Sequence, residues 1–392
     1  MPSALGGAAP IRIQLLESLD ALAPLADAWH ALLEEAIPGR GFFYRVPMLQ
    51  AMAPVHAAAN HPGGRRSPFF LLAWRGEKLV GGLPLVLERK PLTRVALRRL
   101  LFWAGDGSAV GAEVDVPLRG DEAERTEIVA ALRQALTDGV AAGRFDVLDI
   151  ENFREDSAAL PLLRRTFGDG SWRTMPLTSH HVELAGGYPA YRASRSGSRI
   201  RELGRLRRKL EAAHRIEILE TSALTDDDLR AVMRLHGARQ ALLSSRGERR
   251  EAVFERHAGA LASLLVAAGS IGATRHRLLL ADGQLVAFLL GYVEGDTLLA
   301  WLTAVHQDFL DFGAGGVLFW EAVQREFALG AVARIEFGFG TTFVKQTMST
   351  HGLRPWQLEW RPPGNRSGDL RLWAYRRLLT LRARIQRVRG AG

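Results

Sequence analysis

The feature that most constrains this chain is a pattern written twice. Phe69-Phe70-Leu71-Leu72-Ala73-Trp74 and Leu79-Val80-Gly81-Gly82-Leu83-Pro84-Leu85-Val86-Leu87 flank a short turn holding Gly76 and charged residues. Two apolar runs around such a turn read as a β-hairpin. Much later Arg277-Leu278-Leu279-Leu280-Ala281 and Gln284-Leu285-Val286-Ala287-Phe288-Leu289-Leu290-Gly291-Tyr292 flank Asp282-Gly283 in the same way. Each hairpin is followed by helical apolar spacing, Ile128, Leu132 and Leu136 in one half and Leu318, Val323 and Phe327 in the other. Each helix then leads through a glycine to an alternating strand, Phe145 to Ile150 and Ala333 to Phe337. Hairpin, helix and strand in duplicate predict an α/β fold of two related domains, each a central mixed sheet flanked by helices. The 392 residues agree, since a single core stops growing at roughly 250–300 residues. The expected boundary falls near Thr178 to Tyr191, giving domains 1–178 and 179–392.

The second half carries more detail. Tyr191 to Ala213 reads as one long Arg-rich helix with Leu203, Leu206 and Leu210 on its buried face, although Gly204 weakens it. Ile216-Glu217-Ile218-Leu219 is a strand, and Thr225-Asp226-Asp227-Asp228 supplies the cap of a helix running through Leu235 and His236. Ala252 to Ala268 reads as another helix. A strand, Thr297 to Leu302, follows the hairpin. Then Asp311-Phe312-Gly313-Ala314-Gly315-Gly316 turns into a helix.

Composition narrows the chemistry. With no cysteine, a disulfide framework, a cysteine nucleophile and a thiolate metal site are all excluded. No stretch reaches the roughly 20 apolar residues of a membrane span, and a cytoplasmic protein is expected. Hydrophobic residues at 47% and charged residues at 24% argue for folded cores over disorder. The net charge of +9 concentrates in Arg195 to Arg215, Arg246 to Arg250 and the tail from Arg371 to Arg389. Such runs suit either an anionic partner or ordinary solvated helix faces.

From about Tyr191 to Gln357 the chain resembles the BioF-like/CelD-type acetyltransferases of the GNAT superfamily, relatives of the FemAB peptidoglycan ligases. The resemblance rests on the Arg-rich helix, then Leu235-His236-Gly237-Ala238-Arg239, Leu280 to Ala287, and Gly315-Gly316-Val317-Leu318. Its most specific part is Ile335-Glu336-Phe337-Gly338-Phe339-Gly340-Thr341-Thr342-Phe343-Val344-Lys345. It implies tandem GNAT-like domains, the N-terminal one degenerate. The implied activity is N-acyltransfer from acetyl-CoA or another acyl-CoA to an amine of a sugar, peptide or exopolysaccharide precursor. No metal is implied. An aminoacyl-tRNA donor, as in FemAB ligases, is the less favoured partner, and a regulatory protein that kept the fold is the third reading. Oligomeric state is not encoded in these motifs.

Such a transferase must hold a pyrophosphate, polarise a thioester carbonyl, take a proton from an amine and return one to a thiolate. Gly313, Gly315, Gly316 and Val317 open a helix whose free N–H groups suit pyrophosphate, or else the glycines serve close packing. Leu310 stands where the usual GNAT signature has Gln or Arg. The resemblance sets Lys345 at the acyl-transfer centre, with Gly340, Thr341 and Thr342 shaping its loop. Glu336 is a candidate base by strand alternation, as is His306, with Asp308, after the Trp301 strand; Tyr292 is a candidate acid. His236 and Arg239 share a helical face and, with Arg199 and Trp301, are candidate contacts to an acceptor, while Arg195 and Arg205 extend the basic surface. No Gly-x-Ser-x-Gly elbow or cysteine exists to carry an acyl-enzyme, so direct transfer in a ternary complex is expected. In the first half Gly105-Asp106-Gly107-Ser108 does not directly open a helix.

Overall fold

The computed structural model describes residues 9–57, 65–92, 95–104, 113–246, 258–272, 274–340 and 342–390. Thr341 and the turn Gly105 to Ser108 lie outside the described residues, as does most of the basic stretch from Arg246 to Arg250. The chain divides into two compact units: Met1–Ile37, Phe43–Met175 and Trp356–Gly392 form the first, Pro38–Phe42 and Pro176–Pro355 the second.

In the first unit β1 (Ile11–Leu16), β2 (Arg65–Arg75), β3 (Lys78–Leu92) and β4 (Val95–Phe102) form an antiparallel meander. Helices α1 (Ala26–Ala36) and α2 (Val46–Ala57) intervene between β1 and β2. The predicted hairpin is β2–β3, turning at Gly76 with φ 60°. Helix α3 (Glu122–Ala141) then crosses to β5 (Val147–Phe153), which runs parallel to β4. Asp121 and Glu124 start α3 with a reciprocal capping box, and Ile128, Leu132 and Leu136 are buried as their spacing requires. Helix α4 (Leu160–Phe167) and β6 (Trp172–Thr174) follow.

The second unit repeats this order. β7 (Ser179–Glu183) and helices α5 (Gly187–Ala193) and α6 (Gly197–Ala213) lead to β8 (Ile216–Thr221), α7 (Asp226–Ser245) and α8 (Ala258–Ser270). The hairpin β9 (Thr274–Ala281) and β10 (Gln284–Glu294) continues into β11 (Thr297–Val305). Helix α9 (Ala314–Leu329) crosses to β12 (Arg334–Phe339), parallel to β11, before α10 (Phe343–Met348) and β13 (His351–Leu353). The predicted single helix from Tyr191 is two helices. Ser196 takes an extended conformation, and the Ser194 hydroxyl bonds the Tyr191 carbonyl, so the turn is interrupted between them.

The C-terminal segment differs most from expectation. Strand β14 (Trp356–Trp360) inserts between β5 and β6 of the first sheet, and α11 (Arg366–Gly390) packs Leu372 on Leu97 of β4. Residues 356–392 therefore belong with the first unit and not with the domain 179–392 of the sequence reading. The sheet orders are β1-β2-β3-β4-β5-β14-β6 and, reversed, β8-β9-β10-β11-β12-β7-β13. Position by position these coincide. The sixth strand of each sheet is drawn from the chain on the far side of the other unit's elements or at its boundary. Duplication at the level of sequence is thus duplication of topology, with β7 and β14 in equivalent places.

Candidate functional site

In the second unit β11 and β12 pair over three residues only, Thr297–Arg334, Leu298–Ile335 and Leu299–Glu336. On β11, Leu302 faces Leu290 and Ala300 faces Gly291, so Trp301 is an extra residue in the ladder. Such a bulge bends its strand and sharpens the twist. Gly291 is needed there: a Cβ would stand 2.4 Å from the Arg275 carbonyl oxygen. On β12 the register against β7 slips between Glu336 and Phe339, where Gly338 has φ 63°. Beyond the last pair the strands part, leaving a wedge between Trp301–Val305 and Phe337–Gly340.

The first turn of α9 stands at the end of β11. A Cβ on Gly315 would lie 2.6 Å from Val305 Cγ2, and one on Gly316 3.3 Å from Val344 Cγ2 of α10. Gly313, with φ 64°, starts the helix without any side-chain cap, and a Cβ there would meet Leu206 Cδ1 at 2.6 Å. The glycines thus serve close packing. They also leave the N–H groups of Ala314, Gly315 and Gly316 ahead of the first intrahelical bond, from Val317 to Gly313. Lys209 Nζ donates to the Asp311 carbonyl at 3.1 Å, adding a cation beside this turn. Val317, at 2% exposure, is core and offers no side chain to a ligand.

Lys345 lies in the first turn of α10, where its N–H bonds the capping Thr342 hydroxyl at 3.2 Å. Its Nζ donates to the Phe339 carbonyl at 2.7 Å and is 3.5 Å from that of Gly338. The ammonium therefore sits against the glycine turn that ends β12. Helix α10 is held at its far end: the Tyr191 hydroxyl bonds the Met348 carbonyl at 2.7 Å, and Arg195 bonds that of Ser349. Arg199 lies 5.6 Å from the ring of half-exposed Phe343.

Sequence reasoning missed the histidines of β7, because the strand lies in the segment read as a boundary. Val182 shares the core face with Ile335 and Phe337, so alternation places His180 on that face and His181 on the other. His180 is 6% exposed; its Nδ1 is 3.1 Å from the Ser349 hydroxyl, and Nε2 has no hydrogen-bond partner. Burial, and then the positive charge of Lys345, lower its pKa. It is a neutral imidazole facing a cation. Across the sheet, His181 Nδ1 is 3.6 Å from Glu336 Oε1, Arg334 is 3.9 Å from the same oxygen, and the His351 ring stacks on His181 at 5.2 Å. Glu336 is thus a buried carboxylate on the sheet face opposite His180.

Other expected residues take different places. Tyr292 is 1% exposed within an aromatic cluster of Phe42, Trp301 and His276, and burial drives its pKa well above 10. It is a core residue, a poor acid for an open cleft. His236 is buried, its pKa lowered to about 4 by desolvation, so it is neutral and packs the inner face of α7, while Arg239 is half-buried. His306 caps the short turn Gln307–Phe309, accepting the Asp308 N–H at 3.4 Å, and is half-exposed. Arg205 pairs with Glu202 at the surface.

Comparison with known proteins fits this geometry. Residues 197–346, from α6 through the start of α10, match the sequence profile of the acetyltransferase (GNAT) domain. Three solved structures share the wider fold at 10% identity. A protein of unknown function from Bacteroides thetaiotaomicron covers 89% of this chain and 100% of its own, with a TM-score of 0.51. The C-terminal domain of a putative lysylphosphatidylglycerol synthetase from Agrobacterium fabrum covers 89% and 94%, with 0.51. FemX covers 80% and 96%, with 0.50. No curated protein matches. Residues 197–346 are thus similar to a GNAT acetyltransferase domain, and the solved structures share the wider two-unit fold.

Proposed function

We propose that the second unit transfers an acyl group from a CoA thioester to an amine, directly and in a ternary complex. The observation that carries this reading is the parting of β11 and β12 beside an uncapped helix start. A thioester arm fits between strands whose ladder bonds are broken, and orphan N–H groups attract pyrophosphate. In the same reading the Trp301 bulge leaves peptide groups out of the ladder, next to where a carbonyl oxygen would gain charge. Glu336, backed by His181, takes the proton of the attacking amine on one face. On the other, the Lys345 ammonium steadies and protonates the departing thiolate, with neutral His180 beside it. Nitrogen bonds the acyl carbon, the carbon–sulfur bond breaks, and the proton lost by the amine is matched by the one gained by sulfur.

The first unit holds no donor in this account. Its own chain pairs with the end of β5, Val114 bonding Asn152 and Arg154, and then reaches Gly82 of β3 through Pro117. A second reading, an aminoacyl-tRNA donor, draws on Leu310 in place of Gln or Arg and on the Arg195, Arg199 and Phe343 surface.

Thiol release from acetyl-, butyryl- and longer acyl-CoA with a panel of amino sugars and peptides tests the proposal. Acceptor-dependent release that falls about 10²–10³-fold in Lys345→Met, the range for losing one well-placed donor, supports it. Transfer from charged tRNA with none from any CoA overturns it in favour of the second reading.

A further inference from the structure

Helix α11 has two apolar faces where a surface helix needs one. The inner face is accounted for within the first unit: Leu372 is buried on Leu97, Tyr375 and Leu378 pack beside it, and Lys90 Nζ donates to the Tyr375 hydroxyl at 2.7 Å. The outer face carries Leu370 at 65% exposure, Trp373 at 57% and Leu381 at 55%; Leu379, seven residues after Leu372, lies toward the inner side. Leu370, Trp373, Arg377 and Leu381 recur three and four residues apart, so they form one stripe. Among the described residues four of the eight exposed large apolar side chains lie on this helix, a density that scattered surface residues do not explain.

The charge is equally one-sided. From Arg366 to Gly390 the sequence holds eight arginines and one aspartate. Arg371 and Arg376 are spent on Asp146 and Glu359, whereas Arg377 falls in the apolar stripe and the sequence continues with Arg382, Arg384, Arg387 and Arg389. The Arg377 guanidinium lies over the Trp373 ring, 5.5 Å from its centroid, so a cation and an aromatic side chain are presented together. Trp and Leu set among arginines, on a helix not apolar enough to cross a membrane, is the composition of helices that lie in the plane of a lipid surface. Nucleic acid would draw on the arginines and leave Leu370 and Leu381 in water.

We propose that α11 docks the protein on an anionic lipid surface, Trp373, Leu370 and Leu381 entering the headgroup region while the arginines meet lipid phosphates. The aromatic ring suits that depth, apolar in body and polar at its N–H. This surface belongs to the first unit and is independent of the acyl-transfer reading. Its consequence is an enzyme concentrated where a lipid-linked or membrane-borne acceptor would be found.

The test is co-sedimentation of the full chain with vesicles of phosphatidylcholine alone, and of phosphatidylcholine mixed with phosphatidylglycerol, at low and moderate salt. The proposal expects binding to the anionic vesicles only, weakened by salt, and at least about tenfold weaker for Leu370→Ser/Trp373→Ser/Leu381→Ser with every arginine retained. Trp373→Ser alone, with an unchanged melting temperature, guards against a variant that fails to fold. Equal binding by these variants overturns it, as does absence of vesicle binding. Capture of a single-stranded RNA instead of vesicles, or a dimer in gel filtration that the triple variant abolishes, assigns the face to another occupant and overturns it too.

Discussion

Adding one methyl group at Gly315 tests how α9 meets β11. Its Cβ would stand 2.6 Å from Val305 Cγ2, about 1 Å inside the usual carbon–carbon separation of roughly 3.5–4.0 Å. Neither helix nor strand yields freely here, since a Cβ on Gly316 next in line would already press on Leu203 and Val344. Val305 is half-buried at the strand end and gives way in part, so Gly315→Ala should cost about 1–3 kcal/mol, the usual range for overpacking. That lowers the melting temperature of the second unit by about 2–4 °C per kcal/mol. Val305→Ala removes the opposing methyls, so the double variant should recover at least about 1 kcal/mol relative to the sum of the single ones, a coupling expected only of groups in contact. Chemical denaturation of the four proteins measures it. Additivity within about 0.5 kcal/mol would refute the packing argument. A double variant that is stable yet still fails to bind acyl-CoA would show that the position also faces the donor.

Other perturbations follow from the same geometry. His236 and His276 are buried with pKa values lowered to about 4 by desolvation, so the unfolded chain binds more protons below pH 6.5. Stability from each is complete above pH 6.5 and drains as pH falls toward 4, by up to roughly 3 kcal/mol per residue; thermal melts of His236→Leu should depend less on pH across that window. Glu326 is fully buried between half-buried Arg275 and buried Arg277, and Glu326→Ala should cost up to about 3 kcal/mol, since Arg277 keeps Glu220 while both arginines lose their shared carboxylate, read by urea denaturation. Tyr191→Phe removes the bond to the Met348 carbonyl and should cost about 1–2 kcal/mol while loosening α10, seen as faster amide exchange there. A fragment of residues 1–178 lacks β14 and should show no cooperative melt, whereas 1–178 mixed with a peptide of 356–392 should regain one.

The parts of the fold that local sequence could show were those held by local rules. Turn glycines and alternation marked β2–β3 and β9–β10, and a capping Thr225 with Asp228 marked the start of α7, where both reciprocal bonds form. The exchange of β7 and β14 was hidden because each is five residues long and finds its partners far along the chain. For the site, the run ending at Lys345 marks the loop on which the proposal rests, but which groups face it depends on a register slip in β12 and on His180 from β7. Tyr292 shows the converse. A polar tip at a strand end suggested an acid, while packing against Phe42, Trp301 and His276 made it core.

The wedge between β11 and β12 is most directly tested by calorimetric titration of acetyl-CoA and longer acyl-CoA into the wild type and Gly315→Glu. The account predicts saturable one-site binding to the wild type, lost when a carboxylate faces the pyrophosphate at the start of α9. No binding of any CoA, or unchanged binding by Gly315→Glu, would contradict it.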